Sequence, residues 1–163
     1  MLRLFLLSLL LLLNAGCGFK PAVTWSKIDG PVQVISEEPF NTVERELKSL
    51  IQQSLATYDE IPVVEGIRRI ELAPLENNTI VISVDSNGRP AEYRLELTQD
   101  VTFTIDDVVH QEQFKQVGEY VFDVRDILAY KQQLQQLEHR MSQRISQQIM
   151  FAFASRLQSG SSD

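Results

Sequence analysis

The stretch NGRPAEYRLELTQDVTFTI, residues 87–105, decides how the rest of the chain must fold. From Pro90 onward, Ala91, Tyr93, Leu95, Leu97, Val101, Phe103 and Ile105 share one parity, while Glu92, Arg94, Glu96, Thr98, Asp100, Thr102 and Thr104 share the other. Successive side chains on a strand point to opposite faces, so the pattern predicts one half-buried strand. The 16 residues from Pro90 to Ile105, at about 3.3 Å each, reach roughly 53 Å, about three times the common strand. Asn87-Gly88 predicts a tight turn with positive φ angles, and hence an antiparallel neighbour upstream. Burying Leu95, Leu97, Val101, Phe103 and Ile105 contributes about 8–15 kcal/mol gross, before chain entropy is subtracted. Something else in the chain must cover that face.

Working upstream, Ile80-Val81-Ile82-Ser83-Val84 is the hairpin partner, Pro74 breaks the chain, and Ile67, Ile70 and Leu72 suggest an extended piece before it. Downstream, Asp106-Asp107 makes a turn into a last strand, His110 to Phe122, with Phe114, Tyr120 and Phe122 on one parity and Val117 and Val121 on the other. The cover comes from two amphipathic helices. Phe40, Val43, Leu47, Leu50, Ile51, Leu55 and Tyr58 form one stripe, with Pro39 in the first turn, Asn41 and Glu44 as a capping box, and Asp59 to Pro62 as the stop. Asp123 caps the second, with Asp126 as its capping-box acid; Ile127, Tyr130, Leu134, Leu137, Met141, Ile145, Ile149 and Ala152 form its stripe. Glutamines occupy the opposite face. Met150, Phe151 and Phe153 fall outside the stripe, so this end is either buried all round or pressed on a partner. Val32-Gln33-Val34-Ile35 is a first strand, parallel or antiparallel to its neighbour.

Residues 1–16 stand apart from this domain. Met1-Leu2-Arg3 is a short basic start, and Leu4 to Leu13 is an apolar run too short to span a bilayer with ease. Leu13-Asn14-Ala15-Gly16 leads directly to Cys17, the only cysteine among 163 residues, which excludes an internal disulfide. The arrangement resembles a bacterial lipobox, with Asn14 where leucine is usual. The resemblance implies a signal peptide over 1–16 and a mature chain that begins at Cys17, carrying a diacylglycerol on sulfur and an N-acyl group such as palmitate. Two or more acyl chains make a stable anchor, at about 0.8 kcal/mol per buried methylene. Gly18 in place of Asp is the usual mark of outer-membrane sorting in such lipoproteins. Residues 17–30 read as the acylated tether, in which Trp25 can pack on the domain, lie among lipid headgroups or touch a partner. Residues 31–157 are a single domain, and 158–163 a polar, disordered tail.

Constellations for catalysis are missing from the sequence. His110 and His139 lack partner spacing for a metal, the seven glycines form no phosphate loop, and acid pairs such as Asp106-Asp107 sit at turns. An enzyme is therefore not expected, and neither is a cofactor beyond the acyl groups on Cys17. Nucleic acid is disfavoured by charge: 15 basic against 22 acidic residues become 14 against 22, or −8, once Arg3 leaves with the signal.

The lipobox, a strand, a helix, Asn87-Gly88-Arg89-Pro90-Ala91-Glu92-Tyr93 at the head of a long strand, and Phe153-Ala154-Ser155-Arg156-Leu157 near the end together resemble the LptE family of lipopolysaccharide-assembly lipoproteins. The resemblance implies an α+β two-layer sandwich, with two helices packed on one face of a four-stranded mixed β-sheet. It implies one-to-one partnership with the outer-membrane β-barrel LptD, as plug and assembly aid, on the periplasmic side of the outer membrane. It also implies contact with lipopolysaccharide, for which Arg89 and Lys131 are the counterparts of the family's basic positions. A domain at −8 repels phosphates, so such a site must act locally, within a Debye length of about 8 Å. Arg94, between Glu92 and Glu96, reads instead as a cross-strand ion-pair partner. The competing reading is a lipid-anchored periplasmic binding module serving another envelope complex.

Overall fold

A computed structural model describes residues 31–55, 68–122 and 126–160. Within them lie β1 (Val32–Ser36), α1 (Thr42–Leu55), β2 (Arg68–Leu72), β3 (Glu76–Val84), β4 (Pro90–Ile105), β5 (Val108–Val121) and α2 (Ile127–Gly160). The signal peptide, Cys17 and the tether with Trp25 lie outside the described residues, as do Tyr58, the Asp59 to Pro62 stop, Ile67 and Asp123.

The alternation of residues 90–105 folds as one strand over its whole length, and it organises a five-stranded mixed sheet. β5 pairs with β4 antiparallel from Ile105↔Val108 to Glu92↔Val121. On the opposite edge of β4, β2 pairs with Val101 to Thr104 and β3 with Pro90 to Thr98, both antiparallel. β1 then adds parallel to β2, which makes the sheet mixed and settles the direction of the first strand. The sheet has five strands rather than four because Pro74 splits one lateral position into β2 and β3, laid end to end along β4. Proline has no N–H to give the ladder. Opposite the break, the buried Gln99 fills the gap: its Nε2 donates to Ala73 O at 2.6 Å and to Asp100 O at 2.9 Å.

Both helices lie on the face that Leu95, Leu97, Val101, Phe103 and Ile105 share. Leu47 and Ile51 of α1 and Met141, Ile145, Ile149 and Phe153 of α2 are buried against it. Helix α1 starts one residue after Asn41, whose Oδ1 accepts from Val43 N at 3.0 Å. Pro39 and Phe40 therefore lie upstream of the cap instead of in the helix, and Phe40 is 92% exposed instead of heading the stripe. Glu44 does more than close a capping box. Its carboxylate is fully buried and accepts from Ser36 Oγ, from Glu38 N at 3.1 Å and from Leu75 N at 3.3 Å, joining β1, α1 and the β2–β3 break. Helix α2 is capped by Asp126, whose Oδ1 accepts from Ala129 N at 3.0 Å. It runs on through Gly160, into the stretch that composition reads as tail.

The two turns of β4 exchange the chemistry expected of them. Before it, Asp85 N donates to Arg89 O and Gly88 N to Asp85 O, so the loop is Ser86-Asn87-Gly88, with a positive φ of 74° at Gly88 and none at Asn87. After it, Asp106 and Asp107 take φ of 50° and 66° between the paired Ile105 and Val108, the two-residue type I′ geometry.

Candidate functional site

The even positions of β4 face away from the helices, as their polarity requires. Arg94 donates to Glu119 Oε1 from Nε at 3.1 Å and Nη2 at 2.8 Å, so it is a cross-strand ion-pair partner. Lys115 Nζ meets Glu96 Oε2 at 2.7 Å, and Gln113 Nε2 donates to Asp100 Oδ1 at 2.8 Å. The sheet thus presents a hydrogen-bonded face on which these polar pairs alternate with the exposed Val109, Val117 and Val121 of β5. No third layer covers it among the described residues.

Arg89 and Lys131 come to the same end of this sheet. Phe122 N donates to Ala91 O at 2.8 Å, which brings the end of β5 to within two residues of Arg89 along β4. Phe122 then meets Tyr130 edge to face at 4.9 Å between ring centroids, and Tyr130 precedes Lys131. Tyr93 stacks on Tyr120 at 5.4 Å and meets Phe122 at 5.9 Å, completing an aromatic floor. Burial, then the hydrogen bond and charge of Tyr130, push the Tyr120 hydroxyl up to about 12, so it stays protonated at any physiological pH. Arg89 and Lys131 are exposed, and neither side chain has a hydrogen-bond or ion-pair partner among the described residues. The nearby carboxylate of Asp85 is turned to the backbone, accepting from Asn87 N at 2.8 Å and Arg89 N at 2.9 Å. At this end Val84, Val121, Ile127 and Leu128 are also exposed, the two valines on the face away from the helices. Unpaired cations beside bare apolar side chains suit an anionic amphiphile.

A model of the LptE family, described as lipopolysaccharide-assembly, matches residues 31–153, from the first strand into α2. The chain belongs to the LptE family. Within LptE-like solved structures, it is similar to the rare lipoprotein B of Shewanella oneidensis, with a TM-score of 0.66 at 15% identity over 78% of this chain and 96% of that one. A minor lipoprotein of Acinetobacter baumannii gives 0.53 at 13% identity, covering 77% and 90%. Lipoprotein B of Nitrosomonas europaea gives 0.54 at 14%, covering 79% and 84%. These likenesses carry the fold. Comparison with curated proteins returns no match. The LptE membership places the chain in lipopolysaccharide assembly.

Two features of this LptE chain escape sequence reasoning. One is the aromatic floor, whose members are each visible as apolar positions but are joined only by the fold. The other is a groove of about 840 Å³ between β5 and α2, lined by Phe114, Gln116, Arg144, Phe151, Ala152 and Arg156 among others. Its signal is the surplus apolar surface at Met150, Phe151 and Phe153, where burial all round holds only in part: Met150 and Phe153 are buried, and Phe151 is 63% exposed. Among the described residues no cluster of His, Cys, Asp or Glu can hold a metal, and no helix is long and apolar enough to cross a membrane.

Proposed function

We propose that this protein is a non-enzymatic lipoprotein of the Gram-negative envelope, anchored to the periplasmic side of the outer membrane through an acylated Cys17. It plugs an LptD-type β-barrel, assists that barrel's assembly and passes lipopolysaccharide toward the outer leaflet. The observation that carries this reading is the end of the sheet that bears Arg89 and Lys131, unpaired among the described residues, together with exposed apolar side chains. Phosphates and acyl chains of one lipid can meet both kinds of surface at once. The polar face of the sheet, with its ion pairs already closed, supports residence in the water-lined lumen of a barrel.

Two experiments test the proposal. The full chain, purified from detergent-solubilised outer membrane, should carry a large β-barrel at one-to-one stoichiometry; recovery without a barrel removes the plug from the proposal. The Arg89→Ala, Lys131→Ala double variant should bind lipopolysaccharide about tenfold or more weakly at matched salt, since charge-assisted contacts contribute about 1.5–3 kcal/mol each. Equal affinity would mean that these cations are not the phosphate ligands.

A further inference from the structure

The edge of the sheet at β5 is unpaired among the described residues, because β5 bonds only to β4. The even-numbered residues of β5 turn their N–H and C=O groups toward β4: the type I′ turn makes Ile105↔Val108 a hydrogen-bonded pair, and Phe122 N still donates to Ala91 O at the far end. The odd-numbered residues from Val109 to Val121 therefore aim their backbone donors and acceptors outward. Long free edges of this kind are templates for another strand. This edge carries neither proline nor a bulge in its pairing with β4.

Helix α2 overhangs the same edge. The stripe of Arg144, Gln148, Phe151 and Ser155 repeats at helical spacing and forms one wall of the groove, while Glu112, Phe114 and Gln116 on the inner face of β5 form the other. A strand added in plane beside β5 would place alternate side chains in this groove, beneath Phe151 and Ala152. Charge selects among such strands. Arg156 is already paired with Glu112 at 2.7 Å, but Arg144 has no ion-pair partner among the described residues, on a chain whose net charge is −7.

We propose that β5 and the α2 overhang form a second docking surface. It takes an extended segment of another protein chain, which adds as a strand to β5 and sets an apolar side chain against Phe151 and a carboxylate against Arg144. Main-chain bonds to the outward-facing residues hold the segment, and the groove selects its alternate side chains. The surface is distinct from the cationic hairpin end and does not depend on the identity of the barrel.

The test is photocross-linking in cells that make the full-length chain with a photoreactive phenylalanine analogue at position 151. The adduct should map to one contiguous protein segment with alternating apolar residues and an Asp or Glu. Gln113→Pro removes an outward N–H without touching the β4 ladder, where proline is tolerated, and should cut the adduct about tenfold while the melting temperature and near-ultraviolet dichroism hold. Gln113→Ser keeps the N–H and should leave the yield intact. Arg144→Glu, on the exposed helix surface, should also cut it about tenfold. The proposal is overturned if the adduct is a lipid, a second copy of this chain or a helical segment, if no adduct forms, or if either Gln113→Pro or Arg144→Glu leaves the yield unchanged.

Discussion

At its C-terminal end β4 runs between β2 and β5 beneath both helices, and Val101, Phe103 and Ile105 are buried. At its N-terminal end it runs between β3 and β5, where Glu76 to Val81 of β3 are exposed whichever way they point. The alternation of β4 is equally clean at both ends. What differs is the layer above. Helix α1 has 14 residues and spans about 21 Å, whereas the 16 residues of β4 reach roughly 53 Å. Helix α1 begins at the β2–β3 break, where Glu44 accepts from Leu75 N, and returns antiparallel to β1 toward the C-terminal end of β4, so β3 lies outside its cover. Alternation reports the side to which a residue points, and only the placement of the helix reports whether anything waits there.

Truncating one apolar residue at each end of β4 should give very different losses of stability. Phe103 meets Phe153 at 5.7 Å and Phe114 at 6.4 Å, and Phe103→Ala should cost about 3–5 kcal/mol in chemical denaturation. Val81→Ala, on the bare strand, should stay within about 0.5 kcal/mol. Similar losses at both sites would refute the division.

A smaller effect belongs to the turn at the covered end. Asp107 holds a φ of 66°, a left-handed conformation that costs a non-glycine residue on the order of 1 kcal/mol, so Asp107→Gly should stabilise the domain by about that much. Ser86, at the other turn, has no such φ, and Ser86→Gly should bring no gain in the same thermal melt.

The smallest effect probes the seam between the helices that roof the covered end. Burial, and then the charge of Glu46, push the Glu138 carboxyl above the usual glutamate range. His139 on α2 hydrogen-bonds to Glu46 on α1 through Nδ1 and to Gln143 Nε2 through its other ring nitrogen at 2.9 Å. Because the folded state holds the Glu138 proton more tightly than the unfolded state, stability falls as pH rises from the ordinary glutamate value through the raised one. Glu138→Gln should therefore stabilise the domain at neutral pH, by less than about 1 kcal/mol after solvent screening, seen as a small rise in melting temperature. The gain should vanish below about pH 4. A gain that persists in acid would assign the effect to packing.

Much of this fold is legible in the sequence because its signals are local. The long strand, the polar parity of its outer face, the Arg94 ion pair and the apolar stripes of both helices follow from side-chain periodicity and charge. The misses have a common cause in longer-range geometry. Phe40 fits the helical period, yet Asn41 captures the first free N–H groups and starts the helix after it. Pro74 is visible as a breaker, but that β2 and β3 share one edge of β4 depends on Gln99 bridging the gap from a strand 26 residues away. Arg89 and Lys131 are named by resemblance, and only the closure of β5 on Ala91 brings them to one end. The groove beneath α2 has no periodic signature at all, since it is the absence of a neighbour that makes it.

The interruption at Ala73 to Leu75 also bears on how the molecule breathes. Among the described residues strand β3 pairs with β4 alone, while β2 is held by β4 and β1 and lies beneath α1. With no continuous ladder between them, the β3 arm can detach in a subglobal opening that leaves the roofed half intact, and its amides should exchange with solvent well before those of β2. The end that bears Arg89 is thus the part of the domain that a partner can rearrange without unfolding the rest.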